Sequence, residues 1–276
     1  METMDKSTAL KLAELNKRFY HGNARSFSGT RQSGWPGWSR VLDQVGAPHS
    51  VLDVACGNAR FKAFLDERPH FPAYDYHALD SCPELVPPGL RAPLQHENSL
   101  PSYLQAAGRQ ADFPLSESRV SFQCIDLVSA LVEGRDLLPE ISAPACDLVV
   151  CFGFMHHVPT DAARHALLDF LVQKTVPGGC AAVSFWQFAR DERRRAKAQR
   201  VTERGTAALG IRLDANDYLL GWNDLPNVYR YCHGFADEEI DMLAESMADT
   251  VKLVDRFSSD GKTGDMNSYL VFRRTF

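Results

Sequence analysis

The chain has 276 residues, 45% of them hydrophobic, and a formal net charge of -5. That length and apolar content suit one large domain, or one domain with an elaborated cap, and the acidic balance excludes a protein that holds nucleic acid by overall charge. The seven cysteines, at 56, 82, 124, 146, 151, 180 and 232, lie mostly in apolar runs without metal-ligand spacing and read as buried thiols of a reducing, cytoplasmic setting. No apolar run reaches the roughly 20 residues of a membrane span, so no membrane partner is expected.

In chain order, Leu12, Leu15 and Phe19 recur at helical spacing and predict a short amphipathic helix over residues 8–20. A Gly-, Ser- and Trp-containing stretch (27–38) and a second helix (37–45) follow, making residues 1–46 a helical lid segment. The main domain, 47–276, opens with an apolar strand at 50–55. Strand-like runs at 74–79, 120–124, 147–152 and 180–186 then alternate with helical patterns, which predicts an α/β, Rossmann-like doubly wound parallel sheet with helices on both faces. The last two runs, 251–257 and 268–273, are joined by a polar turn too short for a crossover helix and must pair antiparallel. Two long insertions interrupt the alternation, at 81–118 and at 187–235, the second read as a substrate cap. Residues 190–200 hold the densest charge cluster, a helix whose basic side chains form either a solvated face or a phosphate-contacting one.

The segment Val51-Leu-Asp-Val-Ala-Cys-Gly-Asn-Ala-Arg60 runs from a strand into a small-residue turn and then a helix expected near Asn58. Ligands of open α/β sheets bind at such strand ends. A dinucleotide enzyme would need G-x-G-x-x-G here, and only Gly57 of those glycines is present. Asp80, ending the second strand, can take both ribose hydroxyls of a nucleoside cofactor. Asp126 follows the third strand with Leu127 beside it, and each carboxylate also has an ordinary reading as a helix N-cap. The turn, read as Asp53-x-Ala55-x-Gly57-x-Ala59, resembles the D-x-G-x-G-x-G turn of class I S-adenosylmethionine-dependent methyltransferases. The resemblance implies a sheet whose final strand inserts antiparallel beside the fifth, and S-adenosyl-L-methionine as cofactor. It further implies that Asp53 anchors the methionine ammonium end, that Asp126 accepts from the adenine amino group and that Leu127 packs on the ring. Ala55, Gly57 and Cys151, the last at the end of the fourth strand, complete this cofactor set.

Phe27-Ser-Gly-Thr-Arg31 with Trp35-Pro36, and Asp217 to Trp222 with Val228-Tyr-Arg-Tyr-Cys-His-Gly-Phe235, flank the cofactor core. They resemble the eukaryotic tRNA methyltransferases that esterify 5-carboxymethyluridine at the wobble position, including the methyltransferase domain of AlkB-type tRNA hydroxylases. Cys232 stands where that family has a second tyrosine. The resemblance implies that Arg31 and Arg230 hold the carboxylate or a nearby phosphate, that Tyr231 and His233 orient it, and that Trp35 or Trp222 stacks on the base. It also implies a small zinc-containing activator protein against the edge of the third strand. His156 and His157 are assigned to the pocket wall, and no metal is expected in the chain, because no third ligand lies nearby in sequence. Two other readings stay open: a small-metabolite O- or N-methyltransferase, and a protein that binds S-adenosylmethionine without turnover.

Overall fold

A computed structural model describes residues 4–91, 118–223 and 225–275. The first helix, α1 (Lys6–Gly29), starts where the Asp5 carboxylate accepts from the Thr8 backbone N–H at 3.0 Å, and it buries Ala9, Leu12, Ala13, Asn16 and Phe19 on one face. It extends nine residues beyond the predicted end, absorbing Phe27. The second, α2 (Pro36–Val45), has proline at its first position, where no N–H is needed.

The expected sheet is present. Strands β1 (Ser50–Val54), β2 (Asp75–Asp80), β3 (Val120–Cys124), β4 (Cys146–Cys151) and β5 (Thr175–Trp186) pair in parallel, and β8 (Val251–Ser259) and β9 (Asn267–Arg274) add antiparallel. The order is β3-β2-β1-β4-β5-β9-β8, with β9 inserted between β5 and β8. The helices after the strands are α3 (Arg60–Asp66), the single turn α4 (Pro88–Arg91), α5 (Leu127–Glu133), α6 (Asp161–Gln173), α7 (Glu192–Leu209) and α8 (Asp237–Ser246). Strand β5 begins earlier than predicted, because the Pro-Gly-Gly segment is held in the strand as an irregularity: Cys146 pairs Thr175 while Leu148 pairs Cys180.

Side chains alternate across the sheet, so Leu52, Val54, Val149 and Cys151 join α5, α6 and α8 in one core. Val51, Tyr76, Leu148 and Val150 join Trp38 and Val41 of α2 and Phe61 of α3 in the other. The cap at 187–235 contains α7 and a two-stranded sheet that periodicity did not reveal, β6 (Asp217–Gly221) paired with β7 (Tyr229–His233). Helix α1 closes against β7: the Asn16 amide donates to the Tyr231 carbonyl at 3.1 Å, and its oxygen accepts from the Tyr231 N–H at 2.6 Å. Most of the 81–118 insertion, residues 92–117, lies outside the described residues.

Candidate active site

A cavity of about 700 Å³ opens at the carboxyl ends of β1, β2 and β4 and is roofed by α1 and the cap. At its first end the turn after β1 puts Ala55, Gly57 and Ala59 in the left-handed region, with φ of 60°, 56° and 55°. These are the positions where the resembling family carries glycine, so the two alanines hold that backbone at a steric cost of about 1 kcal/mol each. A side-chain carbon added at Gly57 would meet open space, which leaves the turn bare toward the cavity.

Both oxygens of Asp80 accept backbone N–H groups, from Gly57 and from Cys82, each at 2.8 Å. A carboxylate has about four acceptor positions, so capacity remains for a ligand. Burial raises the Asp80 pKa. Asp53 is buried, accepts from the Tyr76 hydroxyl and forms no ion pair among the described residues. Burial, with Asp80 adding repulsion, pushes its pKa up to about 7. Asp126 is the N-cap of α5, accepting from the Ser129 N–H at 3.1 Å, and it also lines the cavity beside Leu127. The N-cap reading of that residue holds, and its place in the cavity wall leaves it within reach of a ligand.

The opposite end is cationic and aromatic. Arg230, 6% exposed, points inward from β7 and makes no ion pair among the described residues. Its guanidinium carbon lies 5.4 Å from the Phe19 ring centroid and 5.7 Å from that of Trp186, and its Nε has no hydrogen-bond partner among the described residues. Arg31 sits over the Phe27 ring at 3.6 Å, and desolvation, with Arg230 as the next cause, lowers its pKa to about 10. Tyr20 of α1 lies between: its hydroxyl meets His157 Nε2 at 2.7 Å and accepts from Arg230 Nη1 at 3.4 Å. His157 Nδ1 faces the Tyr231 carbonyl at 2.9 Å, which assigns the proton to Nδ1 and makes Nε2 the acceptor of the Tyr20 hydroxyl. Burial, and Arg230 next, push His157 down to about 3, so it is neutral. His156 is also buried and held well below its ordinary range by burial, and its Nδ1 has no partner. Trp35 closes one wall against Gly153, where an added side-chain carbon would stand 2.9 Å from the indole.

Four of the sequence-predicted residues do not line this cavity: Cys151, Tyr231, His233 and Trp222. Cys151 follows Val150, the partner of Asp53 on β1, and the period of two turns its thiol into the core on the other face of the sheet. The same alternation on β7 separates Tyr231 and His233 from Arg230. The Tyr231 hydroxyl donates to Asp217 at 2.7 Å, and His233 is held between Asp217 at 2.6 Å and Glu239 at 2.8 Å. Arg164 bonds Glu239 at 3.0 Å and completes a buried network tying the cap to α6 and α8. Trp222 packs outside, with its ring 5.7 Å from Phe27 and its indole N–H donating to Ser26 Oγ at 3.1 Å.

The fold also supplies wall residues that the motifs passed over. Tyr20 is one position beyond the apolar stripe of α1, and Trp186 ends β5. Asp260 comes from the β8–β9 turn, where its carboxylate accepts from Gly37 N–H, Asn267 and Tyr269. Among the described residues, His156, His157 and Cys232 bring potential metal ligands within 4.8 Å of one another, as do His21, Cys82 and Glu84. Sequence spacing hid both groups because the third member of each, Cys232 on β7 and His21 on α1, comes from a separate element. In the first, both nitrogens of His157 are already engaged and burial pushes the Cys232 thiol up to about 12.

No protein-family model matches the chain. A curated protein of Encephalitozoon cuniculi, named as a methyltransferase, is 27% identical over 223 residues, covering 80% of each chain. Among solved structures, an S-adenosylmethionine-dependent methyltransferase of Methanosarcina mazei aligns with a TM-score of 0.53 at 13% identity, over 88% of this chain and 98% of that one. The DhpI–SAM–HEP complex aligns with a TM-score of 0.53 at 16% identity, over 95% and 97%. A Haloferax volcanii methyltransferase bound to the Trm112 activator aligns with a TM-score of 0.51 at 12% identity, over 95% and 98%. With β9 inserted antiparallel between β5 and β8, this chain has the fold of the class I S-adenosylmethionine-dependent methyltransferases.

Proposed function

We propose that the chain is an S-adenosylmethionine-dependent methyltransferase whose acceptor is a carboxylate, the carboxymethyl group of a modified wobble uridine in tRNA. The observation that carries this reading is Arg230, a buried guanidinium with no counter-ion among the described residues, in the cavity that Asp53 and Asp80 also line. A buried ion without a partner costs several kcal/mol, which an anionic ligand offsets. The methyltransferase relative from Encephalitozoon cuniculi supports the reaction class, and the SAM-containing DhpI complex supports the cofactor.

The residues at the first end fit that cofactor. Asp53 has no ion-pair partner among the described residues, which an ammonium would supply, and Asp80 has acceptor capacity for ribose hydroxyls. Leu127 and Ile125 offer apolar wall for a base, with Asp126 at its edge. Bound there, S-adenosylmethionine supplies a methyl group on a sulfonium. A carboxylate acceptor is ionised at neutral pH and needs no base, so the protein's work is alignment and exclusion of water. Arg230 and Arg31 grip the carboxylate, Tyr20 braces Arg230 from α1, and Trp35, Trp38 and Phe152 keep that wall dry. The complex of the Haloferax volcanii neighbour with Trm112 supports a small activator protein as partner, docked at the edge strand β3.

The test is calorimetric titration with S-adenosylhomocysteine, then radiolabelled methyl transfer into total tRNA and into a small-metabolite extract. Micromolar binding with base-labile label in tRNA supports an ester. Absence of binding removes the methyltransferase reading. A second reading rests on His156, whose neutral ring has an unpartnered buried nitrogen at the cavity wall. That group suits a hydroxyl or amine acceptor, which must lose a proton, and base-stable label confined to small molecules would favour this small-metabolite alternative.

A further inference from the structure

Between residues 190 and 204 the chain places seven basic and three acidic side chains, against a net charge of -5 overall. Helix α7 sorts them. Ala198, Val201 and Gly205 face inward, and Gly205 is required there because an added carbon would stand 2.6 Å from Leu219 Cδ1. Arg193, Lys197, Arg200 and Arg204 recur at intervals of four, three and four, which aligns them on one stripe. All four are exposed and none forms an ion pair among the described residues, although Glu203 follows Arg200 at a spacing of three. Some exposed cations elsewhere find partners, as Arg18 does with Glu14, Arg40 with Asp255 and Arg135 with Glu140, whereas Lys11, Arg25 and Lys252 stand singly and unpaired among the described residues. The stripe starts one residue from Arg194, which lines the cavity and reaches Met266 Sδ at 2.9 Å. Its twelve residues span eleven steps, about 17 Å at about 1.5 Å per step.

We propose that the α7 stripe of Arg193, Lys197, Arg200 and Arg204 tracks the phosphodiester backbone of a nucleic-acid strand whose acceptor nucleotide enters the cavity beside Arg194. The inference rests on the proposed function and names the surface that delivers its substrate. At about 3.4 Å of rise per phosphate, 17 Å spans roughly five nucleotides, enough for neighbours of one flipped residue to lie on the helix. A stripe of this kind concentrates affinity for a polyanion in an otherwise acidic protein, so binding is local and sensitive to salt.

The test uses the full chain with all four residues changed to glutamine (Arg193→Gln, Lys197→Gln, Arg200→Gln, Arg204→Gln), which keeps helix propensity. Thermal melting and calorimetry with S-adenosylhomocysteine are expected to match the unsubstituted chain. Affinity for purified total tRNA at 100 mM salt is expected to fall at least tenfold, and the slope of log K against log salt to flatten by about three, near 0.7 to 0.9 per lost phosphate contact. Unchanged tRNA affinity and slope would overturn the surface. So would loss of binding to phosphatidylserine vesicles with tRNA binding intact, since that assigns the stripe to a membrane. If the unsubstituted chain binds tRNA through the stripe but transfers no methyl group to it, the surface stands and the acceptor reading fails.

Discussion

The two ends of the cavity are built on opposite principles. At the cofactor end, carboxylates hang from consecutive strand ends and lean on nearby groups: Asp80 on the Gly57 and Cys82 N–H groups, Asp126 on Ser129 and Asp53 on Tyr76. At the acceptor end, Arg31 and Arg230 come from segments about 200 residues apart and are surrounded by rings in place of counter-ions. Local backbone holds the first end in shape. The second depends on α1, β5 and β7 meeting correctly, and its two arginines form no ion pair among the described residues.

This contrast predicts separable losses. The largest effect belongs to Arg230→Gln, which should lower kcat/KM for the acceptor at least about 100-fold, the scale of losing one partner of a buried charge pair. The affinity for S-adenosylhomocysteine should stay within about twofold, and Arg230→Lys should not restore activity, because an ammonium cannot reproduce the planar fork. Steady-state kinetics beside calorimetry reads both numbers, and equal damage to both would erase the division.

At the other end, Asp80→Asn should weaken S-adenosylhomocysteine binding by about tenfold, at more than about 1 kcal/mol for a charge-assisted pair with the ribose. The KM for the acceptor should move little. Unchanged calorimetric affinity would remove Asp80 from the cofactor set.

The pH dependence sharpens the comparison further. Burial lifts Asp53 from its ordinary 3.8 to about 7. Its contribution to folding stability is fully present below 3.8, where it is protonated in both states, and is lost as pH rises through about 7. Binding of an ammonium favours the ionised form, so the dissociation constant for S-adenosylhomocysteine should fall between pH 6 and pH 8. Asp53→Asn should flatten that slope in calorimetry, and a slope that survives the substitution would point to another group.

The smallest effect concerns the turn itself. Ala59→Gly relieves a left-handed alanine and should raise the melting temperature by about 2 °C, consistent with a gain of under about 1 kcal/mol. Binding of S-adenosylhomocysteine should not change. A lower melting temperature in scanning calorimetry would mean that the alanine side chain packs usefully at the turn.

The carboxylate-lined end of the cavity was legible in the chain because its logic is local. A strand, a small-residue turn and an acidic residue at the next strand end lie within 30 residues, and Asp53, Gly57, Asp80 and Asp126 do line one cavity. The acceptor end was legible only in part. The motif from Arg230 to Phe235 contains one residue, Arg230, that lines the cavity, but nothing in it announces a strand, and without that period of two Tyr231 and His233 group with Arg230 although they face the other way. Tyr20 escaped for a related reason, since its meaning lies in a hydrogen bond to His157, 137 residues away.

By itself, then, the order of apolar runs determined the parallel sheet and its closing hairpin, because periodicity and loop length act between neighbours in the chain. Which cations remain unpaired, which histidines are neutral and which face of β7 looks into the cavity were decided only by tertiary packing, because burial and distance between remote segments set those properties.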